Sequence, residues 1–156
     1  MDRIDCLPQG ICSWRFSFSV NNQSVVTDLG HFREKGSIEI DDCIYQIEKE
    51  GLIGSHWLVT KNGSTIIETE KTNWFGQTWE LRYQSQTFHL RPIALFKQGL
   101  MLVKNDRELL RINRKHPFTR RSVLTVVDQN IQPELIGFAF WLACVIWRRR
   151  AAASSS

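Results

Sequence analysis

Hydrophobic and polar positions alternate early in this chain. In WRFSFSV, Trp14, Phe16, Phe18 and Val20 fall on one side and Arg15, Ser17 and Ser19 on the other. This is the period-two signature of a strand with one buried face. Strand-forming runs follow in SVVTDL, GSIEI, CIYQIEKE, HWLVTK, STIIETEK, TWELRY, TFHLRPIA, GLMLVKN, RELLRIN and RRSVLTVV. Short polar pairs part many of them: Asn21-Asn22, Asp41-Asp42, Asn62-Gly63, Gln84-Ser85 (running into Gln86) and Asn105-Asp106. Asn-Gly is the strongest of these signals, because both residues tolerate the positive φ of a tight hairpin. Pro92 ends or edges its strand, since proline has no N–H for a ladder. The pattern predicts a mainly β fold of about eleven to twelve strands, a barrel or a curled antiparallel sheet.

Two segments echo one another. HWLVTKNGSTIIETEKTNWF and LMLVKNDRELLRINRKHPF both read strand, tight turn, strand, lysine, aromatic. The period is not sustained along the chain, so the echo predicts a repeated meander unit and not a solenoid.

The pattern changes in PELIGFAFWLACVIWRRR, where Leu135 to Trp147 carries no charged and no strongly polar side chain. Pro133 suits the first position of a helix, and Glu134 and Arg148 to Arg150 suit its dipole, which predicts a helix over about 133–148. Leu135, Phe138, Trp141, Leu142 and Ile146 leave no polar face, so protein or lipid must enclose it. Thirteen residues reach roughly 20 Å against a hydrocarbon core of about 30 Å. That length favours a core helix, with the strands curled around it. A short membrane anchor at 135–147, flanked by the arginines, is the alternative.

Composition adds three constraints. A hydrophobic share of 42% with 23% charged residues is that of a globular chain, not a disordered one. The charge is lopsided: residues 1–70 hold six Lys/Arg against eleven Asp/Glu, and residues 71–156 hold fourteen against five. The basic half invites an anionic lipid or an acidic partner. The four cysteines lack zinc or redox spacing, and no apolar leader opens the sequence, so a reducing cytoplasm is expected, with a Cys6–Cys12 disulfide left open. The domain reading is an N-terminal segment at 1–10, one β-domain at 11–150 and a disordered AAASSS tail at 151–156.

The succession of short hairpins, the RKHPFTRRSVLTVV segment and the final PELIGFAFWLACVIWRRR together resemble the tubby-like superfamily. That group includes tubby C-terminal domains, phospholipid scramblases and the plant LURP-one-related proteins. The resemblance spans roughly Trp14 to Arg150 and implies a barrel closed around a hydrophobic C-terminal helix. The chain is shorter than a typical tubby domain. It lacks the proline-rich N-terminal region of scramblases and an acidic loop like their calcium site.

Candidate chemistry centres on RINRKHPFTRR. Arg111, Arg114, Lys115, Arg120 and Arg121, with His116 among them, are suited to phosphate: arginine by bidentate contact, lysine as a point charge. The tubby resemblance implies phosphoinositide headgroups as the ligand. Trp74-Phe75 and Phe118 lie beside basic residues, but no RNP, KH or zinc signature accompanies them, so nucleic acid is not the expected partner. Scattered histidines and the absence of a GK[ST] loop predict no metal, no cofactor and no catalytic site. The expected function is a non-catalytic binding domain, cytoplasmic or peripheral at a membrane. An anchored scaffold and a cytosolic protein-interaction domain without a lipid role stay open beside it.

Overall fold

The computed structural model describes residues 2–10, 13–51, 54–72, 77–93, 98–115 and 120–154. Twelve strands form a closed antiparallel barrel: β1 (Asp2–Pro8), β2 (Trp14–Val20), β3 (Gln23–Leu29), β4 (Gly36–Ile40), β5 (Cys43–Lys49), β6 (His56–Lys61), β7 (Ser64–Lys71), β8 (Trp79–Tyr83), β9 (Gln86–Pro92), β10 (Leu100–Lys104), β11 (Arg107–Arg114) and β12 (Ser122–Val126). Each strand pairs with its sequence neighbours, and β1 closes the circle against β12, Ile4 opposite Leu124. One helix, α1 (Pro133–Ser154), follows.

All the expected strand runs are strands. The twelfth, β1, lies within the N-terminal segment 1–10, which the sequence pattern places outside the β-domain. Its alternation is weak: Cys6 is buried, but Asp2, Asp5 and Leu7 face solvent.

The five expected turns are present, with positive φ at Asn21 and Asn22, Asp41, Asn62 and Gly63, Gln84 and Ser85, and Asn105 and Asp106. Positive φ matches the right-handed twist of the strands a tight hairpin joins. Gln86 belongs to β9 and not to its turn. The echoed segments are alike in shape as well. In β6–β7 the register shifts between Val59 and Thr60, and in β10–β11 between Leu102 and Val103. Each shift lies just ahead of the lysine that leads into the turn.

About eight strands enclose a space that side chains alone can fill, and sixteen or more leave a channel. A barrel of twelve needs a filler, and α1 supplies it. Leu135, Phe138, Trp141 and Leu142 are at most 1% exposed and Ile146 is 8% exposed. The residues of the short-anchor alternative are therefore enclosed by the barrel. No helix among the described residues is long and apolar enough to cross a membrane. Phe140 meets Phe16 and Phe18 edge-on with ring centroids 5.1 and 5.5 Å away, and Trp141 stacks on Phe138 and meets Trp57 edge-on. Such geometries are the preferred ones for aromatic pairs.

The helix enters as expected: the N–H groups of Leu135 and Ile136 both donate to the Gln132 carbonyl, with Pro133 between. Its far end differs from expectation. α1 runs on to Ser154, so Ala151 to Ser154 are helical and not a disordered tail, while Ser155 and Ser156 lie outside the described residues. Arg148 to Arg150 consequently do not terminate the helix, and its last turn holds no basic residue.

Candidate functional site: the basic mouth of the barrel

Antiparallel neighbours send alternate connections to opposite ends. The five two-residue turns, with the segment leading into α1, form one end. The six longer connections (9–13, 30–35, 50–55, 72–78, 93–99 and 115–121) form the other, where α1 emerges. The turns and residues 127–134 contain Asp41, Asp42, Asp106, Asp128 and Glu134 and no Lys or Arg. At the other end the described residues of the connections hold Arg33, Lys35, Lys115, Arg120 and Arg121, joined by Arg148 to Arg150, against Glu34 and Glu50. The barrel is thus acidic at its turns and basic at its mouth.

The arginine triplet organises that mouth. Arg148 donates to the carbonyls of Gly30, His31 and Arg33, cross-linking the 30–35 connection to the helix. Arg149 binds both carboxylate oxygens of Glu34, reaches Ser55 Oγ at 3.1 Å and lies 5.3 Å from the Trp57 ring centroid. Lys49 Nζ joins Glu34 at 2.9 Å. Burial alone would push the Glu34 carboxyl up, but the hydrogen bonds and charges of Arg149 and Lys49 outweigh it and hold it below its ordinary value. Arg150 reaches Gln77 beside β8.

Tryptophans add neutral tethers. Trp57 Nε1 donates to the Glu34 carbonyl at 2.9 Å, Trp141 Nε1 to that of Asp28 at 3.0 Å and Trp147 Nε1 to that of Gln98 at 2.9 Å. The Trp141 bond passes over Gly36, where an added Cβ would stand 1.8 Å from the Asp28 oxygen and 2.7 Å from the indole nitrogen. Only glycine fits there.

The five cations expected to form one cluster are sorted by the fold into different roles. Arg111 faces out of the barrel wall and forms a bidentate pair with Glu108 at 2.8 and 3.0 Å. Lys115 pairs with Asp5 of β1 at 3.2 Å. Arg121 is exposed. Arg114 and Arg120 remain. Neither forms an ion pair with a carboxylate among the described residues, and each lies over an indole: Arg114 at 5.3 Å from the Trp147 centroid, Arg120 at 5.1 Å from that of Trp14. Arg120 also donates to the Ser13 carbonyl at 2.6 Å. Arg114 has a distant contact to Gln98 Oε1 at 3.4 Å, and its Nε is buried without a partner among the described residues. Burial pushes the Arg114 guanidinium below its ordinary value, and the neighbouring charge of Arg120 acts in the same direction. Burial lowers Arg148 and Arg150 likewise.

His116 and Phe118, counted with this cluster, lie outside the described residues, as do Trp74-Phe75 and Cys12. Cys6, Cys43 and Cys144 are free thiols. No metal-ligating cluster occurs among the described residues.

A residue that charge-run reasoning passed over stands at the same mouth. Phe32, in the 30–35 connection, is 100% exposed, between His31 and Arg33. Beside it an open cleft of about 670 Å³ is lined by Phe32, Arg33, Glu34, Lys35, Glu48 and Lys49.

No family model, curated protein or solved structure matches this chain.

Proposed function

We propose that this protein is a tubby-like barrel acting as a non-catalytic binding domain, and that its mouth takes the anionic headgroups of phospholipids. The observation that carries this reading is the Arg114–Arg120 pair: two guanidiniums with no carboxylate partner among the described residues, held on indole faces at a rim where further arginines are partly desolvated. Holding like charges in partial burial costs free energy, and a phosphate oxyanion at the rim offsets that cost. The closed twelve-stranded barrel around a buried helix is compatible with the tubby-like architecture, which is where the phosphoinositide expectation originates.

The test is flotation of the purified protein with phosphatidylcholine vesicles, with and without a phosphoinositide. We expect phosphoinositide-dependent binding that weakens as salt rises. Arg114→Gln with Arg120→Gln should lower it at least about tenfold, the loss of two charge-assisted contacts. Competition by soluble inositol phosphate separates a headgroup site from a site for lipid alone. Binding that ignores both the lipid charge and the double substitution would remove the reading.

A further inference from the structure

We propose that the 30–35 connection is a membrane wedge: Phe32 enters the acyl boundary of an anionic bilayer while Arg33 and Lys35 stay with the phosphates. This rests on the headgroup reading and adds an orientation to it, mouth towards the membrane and turns towards water.

Three observations meet in this connection. The first is the exposure of Phe32, complete for a ring that a globular surface ordinarily covers at least in part. The second is that the connection is built and does not merely hang loose. Gly30 N–H donates to the Lys35 carbonyl at 2.9 Å, Arg148 holds the carbonyls of Gly30, His31 and Arg33 from below, and Glu34 is fixed between Arg149 and Lys49. Phe32 is therefore displayed by a braced support, and the brace reaches down into α1. The third is charge complementarity. Arg33 and Lys35 are exposed and form no ion pair among the described residues. With Lys49 they line the cleft beside Phe32 against the exposed Glu48 and against Glu34, whose charge Arg149 and Lys49 already take up. An apolar tip flanked by cations is the pattern by which a protein surface joins apolar burial to attraction by anionic lipid. An acidic protein partner would satisfy the cations but gives no reason for a bare phenylalanine at the summit.

The test measures vesicle partitioning and insertion into a lipid monolayer for the full chain, using phosphatidylcholine–phosphatidylserine mixtures. Phe32→Ala should reduce partitioning about tenfold, as expected for withdrawing one buried aromatic side chain, and lower the surface pressure up to which the protein inserts. Phe32→Trp should restore both. Soluble inositol phosphate affinity and the urea midpoint should not change, because Phe32 touches neither the headgroup arginines nor the core. If Phe32→Ala partitions like the parent while Arg114→Gln with Arg120→Gln abolishes binding, the wedge is wrong and the headgroup reading stands. Equal losses for vesicles and for soluble inositol phosphate would make Phe32 part of a ligand pocket, again overturning the wedge. A parent protein that binds neither phosphoinositide nor phosphatidylserine vesicles would overturn both.

Discussion

The two ends of this barrel are ordered by different means. At the acidic end, order is mostly local: a two-residue turn reverses the chain five times, with both residues at positive φ in four turns and Asp41 alone in the fifth. Asp41 also accepts a bond from the Ser24 N–H of β3, and Tyr83 donates to Glu134 of α1. At the basic end, order is long-range. The Asp28 and Gln98 carbonyls, the 30–35 connection and Ser55 are all held by side chains that α1 sends up from the core. A change at the first end should remain where it is made. A change at the second should travel, because a connection and the helix that tethers it share each bond.

The strongest challenge to that contrast is Gly36→Val. Its side chain would occupy the space between the Asp28 carbonyl and Trp141, so strand pairing and tether fail together. We expect a loss of about 3 kcal/mol or more, the scale of an overpacked core site, read from the urea midpoint. Retention of the parent midpoint would mean that the tether is dispensable.

Glu34→Gln comes next. It leaves the Arg149 guanidinium half-buried without its carboxylate, and with partial exposure the expected cost is about 1–2 kcal/mol. Amide exchange should quicken at 30–35 and 54–55 and stay unchanged at the five turns.

Acid titrates the same clamp. Because Glu34 is held below its ordinary value, its contribution is complete above the unfolded carboxyl range and is lost as pH falls through the folded value. On descending below about pH 4, exchange should therefore rise at the mouth before it rises at the turns. Simultaneous loss at both ends would contradict the separation.

The smallest effect belongs to the turns. Gln84 and Ser85 hold φ of 51° and 59° without being Gly or Asn, so Ser85→Gly should relieve strain. We expect a gain of about 0.5–1 kcal/mol with vesicle binding unchanged.

The contrast also explains what was legible in the sequence. Turn chemistry is local, so Asn21-Asn22, Asn62-Gly63 and Asn105-Asp106 marked their hairpins and most of the strands with them. The burial of α1 could be read from its unbroken apolar circumference. β1 was missed because Cys6 is its one fully enclosed side chain, and its place is decided by β12 at the opposite end of the chain. The mouth was harder for the same reason. RINRKHPFTRR looks like one cluster, yet strand alternation sends Arg111 to the outer wall and Arg114 to the inner side of the rim, and Asp5, which takes up Lys115, is remote in sequence. Phe32 has a signal of another kind. Connections alternate between ends, and each of the six longer ones contains a bulky apolar residue; among the described ones Ile93 is buried and Phe32 is exposed. Sorting the connections by parity would have exposed it.

The closure of β1 on β12 bears on how the protein is made. β1 has five registered pairs with β12 but two with β2, so it has little to hold it until the last strand exists. The segment that fills the interior is translated later still. A nascent chain leaving the ribosome presents its strands, apolar faces bare, before the residues that will cover them have been synthesised. Ring closure between distant strands is also among the slower steps available to a folding chain. Emergence of α1, more than that of any one hairpin, should time the folding of this barrel, and chaperones that shield strand faces have their opportunity before that moment.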